Sequence, residues 1–190
     1  MTRLMSDTEI ARAATALPIG EIADKHSRID ILINNAGTSH LNPTETMPTE
    51  VWDRIIQINQ TQLFVCSREA GKHMLAQNKG VIVNLASIMG LAGGGFYGNL
   101  PYHASKGAVV NMTRALASEW ALRGVRVNAI APTFTKTDLT KPLREKPELM
   151  AKVKDRTPMG RLAEPEEMAG AILYLASPAS CPSPLYLIHA

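Results

Sequence analysis

IDILINNAG, residues 29–37, decides the fold, because a short run rich in β-branched residues stops abruptly at small, turn-forming residues. The pattern predicts a buried strand over Ile29–Asn34 followed by a turn. The same pattern recurs over Val81–Leu85 and over Val125–Ile130, and Leu185–Ile188 could form a short fourth strand. The sequence therefore predicts at least three buried strands of similar character.

Helical spacing of apolar residues separates these strands. Helices are predicted over Asp7–Lys25 (broken around Pro18–Gly20), Thr49–Asn78, Tyr102–Leu122, Leu139–Arg156 and Pro165–Ala176. Strand and helix alternate along the chain, which favours parallel strands joined by helical crossovers. The expected fold class is α/β, a doubly wound parallel sheet.

Length and composition exclude several classes of protein. The 190 residues suffice for one domain, and 45% hydrophobic with 19% charged residues is ordinary globular usage. The net charge is only +3, whereas nucleic-acid-binding proteins typically carry a larger and clustered positive charge. The chain has only two cysteines, Cys66 and Cys181, which argues against a disulfide framework. It has no apolar run of about 18 residues, which argues against a membrane span. We expect a cytoplasmic protein without nucleic-acid or membrane partners.

Ligands of open α/β sheets bind beyond the carboxyl ends of the strands, and polar residues stand at those places in this sequence. Tyr102 and Lys106 are spaced i, i+4 on one helix face, so an ammonium would lie near the phenol and lower its pKa. Ser87 follows the second strand, and Asn59 lies inside a helix, where asparagine is unfavourable. Each feature alone also fits a surface contact, a loop hydroxyl or a solvated side chain.

Together these residues and their surroundings resemble the short-chain dehydrogenase/reductase family over about residues 29–177. The matching stretches are IDILINNAG (29–37), QIN (57–59), VIVNLAS (81–87), YHASKGAVVNMTRALASEW (102–120) and RVNAIAPTFTKTDLT (126–140). The resemblance implies a Rossmann-like fold and an NAD(P)-dependent oxidoreductase with NAD or NADP as cofactor. It also implies a small carbonyl or alcohol substrate and a homo-oligomer.

The resemblance also implies a role for each matching residue. Tyr102 would be the general acid/base, and Lys106 would lower its pKa and hold the nicotinamide ribose. Ser87 would bind the substrate oxygen, and Asn59 would anchor the water of a proton relay. The other cofactor-binding residues would be Asn34, Ala36 and Gly37 on the adenosine side and Pro132, Thr135 and Thr137 around the nicotinamide. Thr133 departs from the family, which usually has glycine there.

A larger departure is the missing glycine-rich phosphate loop. No Thr-Gly-x-x-x-Gly-x-Gly occurs, and 28 residues before Ile29 are too few for two βαβ units of roughly 30 residues each. The glycine cluster at 93–98 is predicted to be a mobile substrate-loop insertion. We therefore expect an N-terminally truncated sheet in a single domain 1–190: a helical lead-in (1–28), a catalytic half (29–177) and an atypical tail (178–190).

Truncation leaves an alternative open, a catalytically impaired remnant that acts as an interaction subunit of a full-length relative. Because the phosphate loop is missing, we expect weak NAD(P) binding. The first strand of the truncated sheet would become an edge without protective Pro or Lys, so we also expect self-association or a partner. The five histidines lack ligand spacing, so no metal site is expected. Residues 136–161 hold eight Lys/Arg against four Asp/Glu, which fits a solvated helix face or, less readily, an anion-binding lid.

Overall fold

A computed structural model describes residues 19–26, 28–93, 97–180 and 187–189. Four strands form one parallel sheet in the order β1-β2-β3-β4. Their bounds are Ile31–Asn34 (β1), Gly80–Leu85 (β2), Val125–Ala131 (β3) and Leu187–His189 (β4). The three predicted strands and their parallel pairing are confirmed, but β1 begins at Ile31 rather than Ile29 and is only partly buried, whereas a buried strand was predicted. The fourth strand overlaps the predicted Leu185–Ile188.

The register brings the carboxyl ends of the first three strands to one edge of the sheet. Asn34 at the end of β1 pairs with Asn84, and Leu85 at the end of β2 pairs with Ile130 of β3. Segments that follow these strands therefore emerge side by side, which is where an open parallel sheet binds ligands.

The helices lie between the strands in the predicted order. They are α1 (Ile19–His26), α2 (Thr49–Ile56), α3 (Gln62–Ala76), α4 (Leu100–Trp120), α5 (Lys141–Arg144), α6 (Pro147–Asp155) and α7 (Glu167–Ala176). A π-helical turn, Gln57–Thr61, joins α2 to α3. Residues 7–18 of the first predicted helix and most of the tail lie outside the described residues.

The single helix predicted over Leu139–Arg156 is wrong. The segment forms a 3₁₀ turn at Asp138–Thr140 and then the two short helices α5 and α6. Pro147 lacks the backbone N–H that a continuous helix needs and begins α6 instead. The break brings the segment over the carboxyl edge of the sheet rather than along it.

Helices cover both faces of the sheet's central strands. On one face, α3 and α4 bury Ile82, Val125 and Val127 against Met74 and Trp120. On the other face, α7 packs Leu175 and its neighbours against Val83 and Ile130. Burial on both faces explains why these strands are almost continuously apolar rather than alternating.

Strand β1 lies at the edge of the described sheet, as predicted. Leu32 packs toward α3, but Ile31 and Ile33 on the opposite face are 49% and 45% exposed. In the described part of the lead-in, α1 packs against α3. Among the described residues, Ile31 and Ile33 therefore present an exposed apolar surface on the edge strand.

No helix among the described residues has the length and hydropathy that crossing a membrane requires.

The turn between α4 and β3 depends on glycine. Gly124 adopts φ +77°, in the left-handed region, and its carbonyl accepts a 3.2 Å hydrogen bond from the Gly80 amide. A Cβ at Gly124 would lie 2.2 Å from the carbonyl oxygen of Asn78. Both the backbone conformation and the close contact exclude a side chain.

We expect Gly124→Ala to lower the free energy of unfolding by at least about 1–2 kcal/mol, the cost of left-handed backbone for a residue with a Cβ. Gly170→Ala is the matched control, because Gly170 lies in exposed α7 with no atom within 4 Å of the added Cβ. That variant should gain about 0.5–1 kcal/mol from the higher helix propensity of alanine. Urea unfolding of both variants measures the difference, and equal effects would contradict it.

Candidate active site

A cavity of about 920 Å³ opens at the carboxyl edge of the sheet. Segments that follow the first three strands line it, including Gly37 after β1, Ser87 after β2 and Pro132 after β3. The start of α4 and the α5–α7 region complete the wall. The cavity therefore lies where the strand ends predicted a ligand site.

The structure brings Ser87 and Tyr102 together in this cavity. Ser87 precedes a 3₁₀ turn, and its Oγ accepts a 3.1 Å hydrogen bond from the Met89 amide. Its side chain is also hydrogen-bonded to the Tyr102 phenol, which projects from the first turn of α4. Two hydroxyl groups thus meet at one point of the wall.

Lys106 lies one turn further along α4 and is 4% exposed. Its Nζ lies 5.7 Å from the centroid of the Tyr102 ring and donates a 2.5 Å hydrogen bond to the Leu85 carbonyl. Burial lowers the pKa of Lys106 to about 8. At neutral pH the ammonium is therefore still mostly protonated and can act as a donor.

The pKa of Tyr102 is raised above its ordinary value of 10, because burial disfavours the phenolate, while the hydrogen bond with Ser87 opposes that shift. The sequence predicted a lowered pKa caused by Lys106, and the structure shows the opposite net direction. Burial of the phenol is the larger effect, and the ammonium bonds to the Leu85 carbonyl. Tyr102 is consequently protonated at neutral pH.

Asn59 lies in the π-helical turn and is fully buried behind the cavity. Its Oδ1 accepts from the Thr38 amide at 2.8 Å, and its Nδ2 donates to the Thr38 carbonyl at 2.9 Å and to Ser105 Oγ at 3.0 Å. The side chain thereby joins the loop after β1 to the start of α4. It does not line the cavity, and the π-helical turn that presents it was not predicted.

Asn34 and Ala36 do not line the cavity, and the cofactor-binding role implied for them stays a prediction. The Asn34 side chain donates to Ser67 Oγ at 3.0 Å and to Asn84 Oδ1 at 2.8 Å, inside the layer between sheet and helices. Ala36 is exposed on the turn. Gly37 does line the cavity, and a Cβ there would contact Lys106 Nζ at 3.5 Å.

Pro132, Thr135 and Thr137 line the opposite wall, together with Thr133. Thr133 replaces a usual glycine without adopting a positive φ, so the turn persists with ordinary backbone. Thr140 Oγ1 donates to the Thr135 carbonyl at 2.6 Å and holds this segment against the following 3₁₀ turn. The segment after β3 is thus fixed by its own hydrogen bonds.

The glycine cluster at 93–98 is only partly described, because residues 94–96 lie outside the described residues, and its predicted mobility stays untested. Gly98 is close to the loop after β1: its carbonyl accepts a 3.0 Å hydrogen bond from Asn42, and a Cβ would lie 2.4 Å from the Asn42 carbonyl oxygen. The residues that follow Gly98, among them Asn99 and Tyr102, line the cavity.

Several cavity-lining polar residues were missed at the sequence level: Ser39, His40, Tyr97, Asn99 and Lys146. Asn99 had a signal, since it stands three residues before Tyr102 at the start of the same helix. Lys146 had none, because only the break between α5 and α6 brings it to the wall. No group of three or more metal-ligating side chains occurs in the part of the chain that the structure describes.

Comparison with known proteins agrees with this geometry. The family model described as enoyl-(acyl carrier protein) reductase matches residues 6–182. A galactitol 2-dehydrogenase (L-tagatose-forming) from Cereibacter sphaeroides is 43% identical over 178 residues, covering 94% of this chain and 69% of that protein. The chain belongs to the short-chain dehydrogenase/reductase family.

Further relatives of this short-chain dehydrogenase/reductase carry related names. A 2-dehydro-3-deoxy-D-gluconate 5-dehydrogenase from Bacillus subtilis is 40% identical over 82% of this chain and 61% of that protein. A gluconate 5-dehydrogenase from Burkholderia cenocepacia, solved with NADP and tartrate, superposes with a TM-score of 0.85 at 29% identity, over 96% of this chain and 69% of that one. The chain thus spans about 61–69% of the length of these relatives.

The buried ammonium predicts a pH dependence of stability. The pKa of Lys106 is about 8 in the folded state and 10.5 ordinarily, so the unfolded state binds more protons between these values. Stability should therefore rise with pH from about 8 to 10, by at most about 3 kcal/mol for the full shift. Lys106→Met should abolish this rise, whereas exposed Lys152→Met should keep it. Unfolding midpoints in urea at pH 7, 8, 9 and 10 provide the measurement.

Proposed function

We propose that this protein is an NAD(P)-dependent oxidoreductase that interconverts an alcohol and the corresponding carbonyl compound, with Tyr102 as general acid/base. The observation that carries the proposal is the hydrogen-bonded pair of Ser87 and Tyr102 hydroxyls in the cavity, with the Lys106 ammonium buried beside them. The dehydrogenase names of the relatives support the same reaction class.

Ser87 is oriented to bind the substrate oxygen. Because its Oγ accepts from the Met89 amide, the hydroxyl proton is available for donation to a carbonyl or alcohol oxygen. The same oxygen would lie within reach of the Tyr102 phenol, which shares a hydrogen bond with Ser87. Substrate would therefore replace the direct contact between the two hydroxyls and take a hydrogen bond from each.

Tyr102 supplies or takes the proton on that oxygen. In reduction the protonated phenol donates to the carbonyl oxygen, and its raised pKa keeps that proton in place at neutral pH. Oxidation is the reverse transfer, in which Tyr102 acts as the phenolate that the reduction leaves behind and takes the proton of the alcohol. When bound, the nicotinamide supplies the two-electron chemistry as a hydride donor or acceptor.

The cavity suits the nicotinamide and its ribose. Lys106 presents a largely charged donor for ribose hydroxyls, and Gly37 leaves the space in front of Nζ free of a side chain. Pro132, Thr135 and Thr137 would flank the ring from the opposite wall. Either NAD or NADP is compatible with these contacts, and the relative from Burkholderia was solved with NADP.

Asn59 would act as a positioning residue. Its amide uses both terminal atoms on protein partners and ties Thr38 to the start of α4. It would therefore hold Tyr102 and Lys106 in place relative to the loop after β1, rather than contact the substrate. The implied anchoring of a relay water by Asn59 stays a prediction.

A second candidate function is favoured by the open face of β1. Ile31 and Ile33 lie on the edge strand β1 and are about half exposed. An exposed apolar edge strand promotes association with another chain. In this alternative the chain pairs with a second copy or with a full-length relative. The homo-oligomer expected for the family is part of the same proposal.

Association through β1 can be tested with Ile31→Lys, which places a charge on the open face at a residue outside the cavity. We expect sedimentation velocity to show self-association of the unchanged chain and a shift of the variant toward monomer. Met159→Lys is the matched control, since Met159 is 71% exposed and stands in the turn that follows α6 rather than in the sheet. An unchanged chain that is monomeric at all concentrations would exclude pairing with a second copy.

Tyr102→Phe tests the proposed reaction. Loss of the phenolic proton should lower kcat by roughly 10²–10⁴-fold, with little change in the unfolding midpoint, when polyols and sugar acids are oxidised with NAD or NADP. The absorbance of the reduced nicotinamide follows turnover. Tyr174→Phe is the control, because Tyr174 does not line the cavity. Turnover that is unaffected by Tyr102→Phe, or no turnover with any of these alcohols, would contradict the proposal.

A further inference from the structure

Asn99 stands beside the reaction centre without a part in the proposed proton transfer. It is the residue immediately before α4, three positions ahead of Tyr102, and it lines the same cavity. The two side chains therefore border the same space, in which the substrate would bind.

The Asn99 amide has unused hydrogen-bonding capacity. The residue is 5% exposed, its Nδ2 donates to Ser39 Oγ at 3.1 Å, and its buried Oδ1 has no hydrogen-bond partner among the described residues. A buried acceptor without a partner costs about 1–3 kcal/mol. Such a cost is reasonable where a bound molecule completes the hydrogen bonding.

We propose that Asn99, supported by Ser39, binds a second hydroxyl of the substrate on a carbon next to the one that reacts. The cavity would then select vicinal diols and polyols over simple alcohols. This inference rests on the proposed function, because it takes the position of the reacting hydroxyl from Ser87 and Tyr102. It adds a specificity-determining residue to that reaction.

A hydroxyl is the group that best suits this position. It can donate to Oδ1 and accept from Nδ2, so it satisfies the amide whichever terminal atom faces the cavity. Because Oδ1 is shielded in this structure, the amide must turn toward the substrate, and Ser39 Oγ, which also lines the cavity, can follow it. An apolar methyl at the same place would leave the amide unpaired.

A simple alcohol bound at this site would leave the buried Asn99 amide unpaired. Such an unpaired polar group rejects an alcohol that lacks the second hydroxyl. This rejection is stronger than that of a slightly too small substrate by an apolar pocket. The expected preference concerns kcat/KM, since the contact is made in the bound substrate and kept during the reaction. Removing the amide should abolish the preference without blocking the chemistry on a simple alcohol.

The test compares meso-2,3-butanediol with 2-butanol, which have the same carbon skeleton and differ by one hydroxyl. We expect the unchanged chain, with NADP, to favour the diol by about tenfold or more in kcat/KM. Asn99→Leu should abolish most of this preference by lowering the value for the diol alone. Asn111→Leu, an exposed position on α4 outside the cavity, is the matched control and should retain the preference.

Equal losses for both alcohols in Asn99→Leu would overturn the inference, because they would indicate a structural role. A chain that shows no preference for the diol would overturn it as well.

Binding separates this inference from the proposed reaction. Saturation-transfer NMR should detect meso-2,3-butanediol on the unchanged chain and on Tyr102→Phe, and much less on Asn99→Leu. If neither alcohol is turned over but this binding pattern holds, the proposed reaction fails and the hydroxyl site stands. If Tyr102→Phe abolishes turnover while Asn99→Leu binds the diol as well as the unchanged chain, the reaction stands and the hydroxyl site fails.

Discussion

The rest of this structure depends on the register of the parallel strands β1, β2 and β3. Because Asn34 pairs with Asn84 and Leu85 pairs with Ile130, the three strands end at one edge. Each following segment must leave the sheet at that edge, and each contributes a different wall of the cavity. Residues that are far apart in sequence become neighbours through hydrogen bonds between backbones alone.

Buried amides then hold the helices to this ladder. Asn34 links β1 to Ser67 on α3 and to Asn84 on β2, and Asn84 in turn donates to Thr113 on α4 at 2.9 Å. Asn59 makes a parallel connection from the loop after β1 to Ser105. Fully satisfied networks of this kind are specific as well as stable, because any displaced partner would leave a buried polar group unpaired.

Burial is also the common cause of the two opposite pKa shifts at the reaction centre. Removal from water disfavours the charged form of each group, so the pKa of the Tyr102 phenol rises and that of the Lys106 ammonium falls to about 8. The pair therefore stays as neutral phenol and largely charged ammonium near pH 7. In these protonation states Tyr102 can donate a proton, and Lys106 can donate hydrogen bonds.

Much of this protein follows from local sequence. Runs such as Val81-Ile82-Val83 predict strands, and the shared helix face of Tyr102 and Lys106 follows from their i, i+4 spacing. Strand–helix alternation then requires parallel pairing, so the position of the cavity was predictable. Ser87 was predictable too, since it directly follows a strand.

Only the tertiary structure decided what each polar side chain faces. Asn34 ends a strand just as Ser87 follows one, yet its amide turns into the helix–sheet layer because Ser67 and Asn84 lie there. The direction of the Tyr102 pKa shift depends on burial and on the Leu85 carbonyl that holds Lys106, neither of which spacing can reveal. Asn99 and Lys146 reach the cavity through the packing of segments distant in sequence. Local sequence specifies backbone periodicity, whereas side-chain partners are specified by contacts between elements.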